Sequence, residues 1–161
     1  KNRSILSREE EESLTALYHE LIHTMPKNWA DVSNNELKSN SVELMVEFSA
    51  RLRYNSFIER LGGVITHQEE IIYGGNGYYN LIDNIIDFVD RMEITKEHAS
   101  NIFLDHIKNG QLYDSDKFLY NFIVDSVKSK NANNIVKEDM NNILGKLFGE
   151  REDWLFLLTK W

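Results

Sequence analysis

The chain has 161 residues, a formal net charge of −8, and 42% hydrophobic and 27% charged residues. Those proportions suit a single globular domain with a real core. The acidic balance argues against nucleic acid or an anionic membrane as main partner, since both recruit clustered Lys and Arg. The absence of cysteine excludes disulfides, thiolate metal sites and a Cys nucleophile, so any metal must be held by His, Asp or Glu. It leaves the compartment open, because a reducing cytosol and a secreted setting both fit. No apolar run approaches the ~20 residues of a spanning helix, and no signal peptide is visible. The chain starts at Lys1 rather than Met, which fits a fragment or a processed product. Residues 1–161 read as one domain.

A lone proline, Pro26, imposes few breaks and favours a mostly helical protein. Ser7 with Glu10 forms a capping box and opens a predicted helix over residues 7–25, ended by Pro26. Its apolar stripe is Leu14, Leu17, Tyr18, Leu21, Ile22 and Met25, spaced by three and four. Residues 27–32 form a loop holding Trp29. Ser33 with Glu36 suggests a second capping box and a long helix to about Leu61, closed by Gly62-Gly63. Leu37, Leu44, Met45, Phe48, Leu52, Phe57 and Ile58 supply its core contacts. Residues 64–72 read as a short strand or an irregular turn, and 74–77 as a glycine loop. Further helices are predicted over 78–92, from Thr95 as cap to 108, from Asp114 or Ser115 to 129, and over 137–148. The apolar end, residues 154–158, is expected to pack on the domain. The expected fold class is mainly α, a multi-helix domain with little or no sheet. The short connection through Pro26 and Trp29 makes its first two helices antiparallel neighbours.

The chemistry-bearing motif is His19-Glu20-Leu21-Ile22-His23, an H-E-x-x-H within the first helix. Residues i and i+4 stand one turn apart on one face, so two imidazoles can converge on one metal. Glu20 sits beside them, able to take a proton from a metal-activated water. The two histidines lie off the apolar stripe, so the helix is expected to bury its core face and present the pair to a cleft. A catalytic zinc needs a third protein ligand and an open position. The next helix offers Glu36, Glu43 and Glu47. With the two helices antiparallel, Glu43 can bind the metal, and Glu47 can accept the outer N–H of a ligand histidine. The plain alternative for each carboxylate is a solvated acidic face.

Together, His19-Glu20-Leu21-Ile22-His23 and Glu43-Leu44-Met45-Val46-Glu47 resemble the gluzincin group of zincin metallopeptidases. Residues 42–50 are also similar to the second-helix segment of zincin-like domains in plasmid antirestriction and phage-associated proteins. The resemblance covers residues 14–52. It implies zinc held by His19, His23 and Glu43, with Glu47 behind a ligand and Glu20 as general base. It further implies a peptide or protein substrate. Gluzincins use a later Tyr or His to stabilise the oxyanion, a role open to Tyr73 or Tyr78 beside the glycine loop. Aromatic packing is the alternative for both. Zincins usually place a sheet before the active-site helix, and its edge strand holds the substrate. The 18 residues before His19 look mostly helical, so the sheet lies in an upstream domain of the same chain or the core is reduced.

His67, His98 and His106 stand alone and read as surface or hydrogen-bonded structural residues. The functional expectation is zinc-dependent peptide-bond hydrolysis. Two rivals are a zincin-derived binding module within a larger protein and a helical interaction domain without metal.

Overall fold

The structure is a computed structural model that describes residues 4–26, 40–74, 79–109, 112–129 and 145. Their order is β1 (Ser4–Ile5), α1 (Arg8–His23), α2 (Asn40–Leu61), β2 (Gly63–Val64), α3 (Gln68–Gly74), α4 (Tyr79–Arg91) and α5 (Lys96–Lys108). A 3-10 turn (Leu112–Asp114) then leads into α6 (Ser115–Ser129). The fold is mainly α, a multi-helix domain. Strand pairing among the described residues is confined to β1 lying parallel to β2, Ser4 opposite Gly63 and Ile5 opposite Val64. No helix among the described residues is long and apolar enough to cross a membrane. Trp29, the Ser33–Glu36 cap, Tyr78 and the segment 154–158 lie outside the described residues, as does the predicted helix over 137–148 except Gly145.

Helix starts follow local chemistry. Ser7 Oγ accepts from the Glu10 amide at 3.3 Å while the Glu10 carboxylate accepts from the Ser7 amide at 2.8 Å. That reciprocal pair satisfies two donors that a helix start otherwise leaves open. Thr95 caps α5 by accepting from the His98 amide at 3.2 Å. Helix α2 ends where Gly62 takes a left-handed φ of 90°, a conformation that costs glycine nothing. Gly63 is required for a different reason. A Cβ there would stand 2.6 Å from Ile58 Cγ2, so β2 turns back hard against the helix it has just left.

Helix α2 is central. From Ser41 to Arg51 nearly every residue is buried, the pattern of a helix covered on all sides. One side carries Phe48 against Phe103 of α5, edge to face at 5.4 Å, and Phe103 continues to Phe122 of α6 at 5.1 Å. The other side receives α1. Down α1, Glu11, His19 and His23 meet Tyr54, Glu47 and Glu43 of α2 in turn. The partner numbers fall as those of α1 rise, so the two helices are antiparallel. The β1–β2 pair closes the base of this hairpin.

The inward face of α1 holds part of the predicted stripe: Ile22 is buried and Leu14, Tyr18 and Met25 pack on the core. Leu17 and Leu21 are instead 49% and 39% exposed, whereas Glu11, Thr15 and His19 are buried. The helix therefore turns a largely polar row toward α2. Each polar member of that row finds a partner. Glu11, 0% exposed, accepts from the Tyr54 hydroxyl at 3.1 Å and the Thr66 amide at 2.7 Å. It also accepts from the His67 amide at 3.3 Å and from His67 Nδ1 at 3.1 Å. Burial raises the Glu11 pKa, but these donors outweigh it and hold the carboxyl below its ordinary value. The region 64–72, expected as strand or irregular turn, is instead the two-residue β2 followed by α3, which runs into Gly74. Seven residues are too few for periodicity to mark a helix. Its start depends on Glu11, which takes the Thr66 and His67 amides from across the hairpin.

Replacing Glu11 by Ala leaves the buried Tyr54 hydroxyl and the part-buried Thr66 and His67 donors without their acceptor, at up to about 1–3 kcal/mol each. The expected loss of stability is roughly 3 kcal/mol or more, a fall in melting temperature of about 6–12 °C at this chain length. A variant that melts at the parental temperature removes Glu11 as an anchor.

Candidate metal centre

The polar seam between α1 and α2 ends in the residues that the sequence motif singles out. His19 and His23 are one turn apart on α1, and Glu43 and Glu47 one turn apart on α2. Because the helices run antiparallel, the pairs face each other. His19 Nε2 lies 3.0 Å from His23 Nε2 and 3.3 Å from Glu43 Oε2, and His23 Nε2 lies 3.5 Å from Glu43 Oε1. One ligand atom from each of the three residues lies within 4.8 Å of the other two, in the one group of this kind among the described residues. Two donors of a tetrahedral zinc with bonds of about 2.0–2.1 Å are about 3.3 Å apart. His23 Nε2 and the nearest Glu43 oxygen, 3.0 and 3.3 Å from His19 Nε2 respectively, stand close to that spacing, with the other Glu43 oxygen 3.5 Å from His23 Nε2 and one nitrogen of each imidazole turned to the cluster.

Behind the cluster, His19 Nδ1–H donates to Glu47 Oε2 at 2.7 Å. This bond places the proton on Nδ1 and leaves Nε2 as the ligating nitrogen. Glu47 is held from its other side by Arg51 Nε, which donates to Oε1 at 2.7 Å. Nothing in the sequence singled out Arg51. A lone arginine in a helix reads as a surface residue, and only its spacing of four from Glu47 hinted at a pair.

His19 is 9% exposed and lies in the interhelical seam, with half-buried His23 at its margin. Glu20 is exposed and projects about 100° from His19 and about 60° from His23 around the helix axis. It stands on the solvent side of the pair. Glu36 and Tyr78 lie outside the described residues. Tyr73, on α3, is 46% exposed and interacts with Lys96. The remaining histidines belong elsewhere. His67 donates to Glu11, and His98 is exposed. His106 is buried, stacks on Phe118 at 3.8 Å and bonds Ser115 Oγ at 3.1 Å. Burial among these neighbours pushes the His106 pKa down.

The electrostatics of the seam are strongly coupled. Burial disfavours a charged His19, but hydrogen bonds and charges from Glu43 and Glu47 outweigh it and raise the pKa to about 9. Burial likewise pushes Glu43 up, and the hydrogen bonds of His19 and His23 outweigh it, drawing its pKa down to about 2. Glu47 is also lowered: burial opposes ionisation, and His19 and Arg51 overcome it. In the metal-free chain His19 therefore contributes stability fully below its ordinary 6.5 and loses it as pH rises through about 9. Glu43 contributes above its ordinary 4.5 and loses it as pH falls through about 2.

A metal ion needs the neutral imidazole. At pH 7 zinc binding is expected to release about one proton from His19, and affinity is expected to rise roughly tenfold per pH unit between pH 6 and 8. Titration calorimetry in two buffers of different ionisation enthalpy measures the release. Equal heats in both buffers would show that His19 gives up no proton.

No family model matches the chain, and no curated protein or solved structure matches it. The functional reading therefore stands on the geometry of this seam.

Proposed function

We propose that this chain is a zinc-dependent peptidase domain of the gluzincin type. In this reading His19, His23 and Glu43 hold the metal and Glu20 is the general base. The observation that carries it is the cluster of His19, His23 and Glu43: the two Nε2 atoms are 3.0 Å apart, and the Glu43 carboxylate lies 3.3 Å from His19 Nε2 through Oε2 and 3.5 Å from His23 Nε2 through Oε1. A bound zinc supplies Lewis acidity and lowers the pKa of water to about 7. Glu20, exposed beside His23, takes the proton of the attacking water and passes it to the leaving amine. Glu47 fixes the His19 ring and its tautomer. An oxyanion role for Tyr73 or Tyr78 belongs to the resemblance and has no support in the contacts of Tyr73.

A second reading is a zincin-like module that keeps the metal but serves recognition within a larger protein. One observation favours it: strand pairing among the described residues is a single two-residue register, Ser4–Ile5 with Gly63–Val64. That offers no long edge on which an extended peptide can lie.

The test is cleavage of a mixed peptide library by protein loaded with one zinc per chain, repeated after chelation and after zinc is restored. Chelator-sensitive cleavage supports the peptidase. Stoichiometric zinc without any cleavage favours the binding module. A chain that takes up no zinc overturns both.

A further inference from the structure

Arg51 is among the largest fully buried side chains, at 2% exposure. A guanidinium cannot shed its charge, so it must be matched where it lies. Its Nε donates to Glu47 Oε1 at 2.7 Å, and its Nη1 reaches the Ile72 carbonyl of α3 at 3.4 Å. Glu47 is gripped from the opposite side by His19 Nδ1–H on Oε2 at 2.7 Å. Each carboxylate oxygen of Glu47 thus has its own donor, and the donor on the Arg51 side is itself tied to backbone.

This clamp matters because of where Glu47 sits. Glu43 and Glu47 are one turn apart on the same face of α2, and both touch the His19 ring, one at each nitrogen. A carboxylate beside a divalent cation gains more from the cation than from an imidazole N–H. Left free to rotate, Glu47 has reason to abandon Nδ1 and turn an oxygen onto the metal. Two losses follow. His19 loses the acceptor that fixes its tautomer, and the position that a catalytic site leaves open becomes filled by a carboxylate.

Resting on the reading of His19, His23 and Glu43 as ligands, we propose that Arg51 is a positioning residue that holds Glu47 off the metal and so keeps a coordination position open. Its planar fork suits the task. Nε meets the carboxylate while Nη1 is anchored on the Ile72 carbonyl, a geometry that the single ammonium of lysine does not reproduce.

Cobalt(II) in place of zinc, in the full chain, reports coordination number through its visible absorption. Four-coordinate cobalt absorbs strongly, and five- or six-coordinate cobalt weakly. Acetohydroxamate, which needs an open position, serves as the probe ligand. Wild type is expected to show the strong spectrum and to shift on adding the probe. Arg51→Gln is expected to stay four-coordinate with a Glu47 oxygen in place of water, showing displaced bands and no shift on adding the probe. Glu47→Gln in the Arg51→Gln background is expected to restore both, because a neutral amide competes poorly for the metal. A purely structural role for Arg51 predicts no such rescue. An Arg51→Gln protein with the wild-type spectrum and shift overturns the proposal, as does a double variant that stays like Arg51→Gln. Should Arg51→Gln fail to fold, the comparison is Glu47→Gln with and without Arg51→Gln. Identical spectra support the proposal, because Arg51 then has no carboxylate to restrain, and differing spectra overturn it. A wild-type chain that takes up no cobalt brings down the ligand reading itself, a result distinct from any failure of Arg51.

Discussion

Zinc in thousandfold excess over its dissociation constant is expected to raise the melting temperature of the wild-type chain by roughly 8–16 °C. A ligand that binds only the native state at that excess stabilises it by about 4 kcal/mol. A domain of this length gains about 2–4 °C per kcal/mol. The shift should vanish in His19→Ala/His23→Ala, which keeps neither imidazole of the cluster. Glu43→Ala should remove most of it, since the carboxylate that approaches the two imidazoles at 3.3 and 3.5 Å is gone. Glu47→Ala should keep part. Glu47 touches His19 through Nδ1, and loss of such an orienting partner weakens metal binding about 10–100-fold. Each variant is to be compared with its own metal-free melt. Removing His19 also strips the charge partner that holds Glu43 and Glu47 as buried carboxylates, which lowers the metal-free baseline. Scanning calorimetry with and without zinc separates the two effects. An undiminished zinc shift in the double-histidine variant would place the metal elsewhere. A larger loss for Glu47→Ala than for Glu43→Ala would reverse their assigned roles.

Glu20→Gln is expected to cut peptide hydrolysis by about 10²–10⁴-fold, the usual contribution of a positioned base, while zinc stays at one per chain. The two effects part because of where Glu20 sits. It follows His19 directly, so it points about 100° around the helix from that ligand and is exposed where His19 is buried. It makes no contact with Glu43, Glu47 or Arg51 among the described hydrogen bonds and ion pairs. Gln preserves its size and removes its basicity. The measurement is kcat on a cleaved peptide, with metal content determined on the same sample. Turnover at the parental rate would dismiss Glu20 as the base. A variant that loses zinc along with activity would show that Glu20 acts on the metal site itself.

The capping box of Ser7 with Glu10 and the Thr95 cap were legible because their hydrogen bonds span only three residues. The same holds for the pairing of His19 with His23 and of Glu43 with Glu47, which helix periodicity alone puts on common faces. The short α3 was not legible, because the amides of Thr66 and His67 just before it are taken by Glu11, 55 and 56 residues away in sequence.

By itself, then, the sequence determined a mainly α chain and the two helical turns that carry imidazoles and carboxylates. Only the tertiary structure decided which face of α1 turns inward. Counting apolar residues pointed to Leu14, Leu17, Tyr18, Leu21, Ile22 and Met25; four of these face the core, yet Leu17 and Leu21 are exposed, and Glu11, Thr15 and His19 are buried beside Ile22. A polar row is buried only where each group meets a partner. Here the partners are remote: Tyr54, Thr66 and His67 for Glu11, and Glu47 for His19 at a separation of 28 residues. Arg51 follows the same rule. It is buried because Glu47 and the Ile72 carbonyl receive it, and no local pattern reports that α3 will bring that carbonyl within reach.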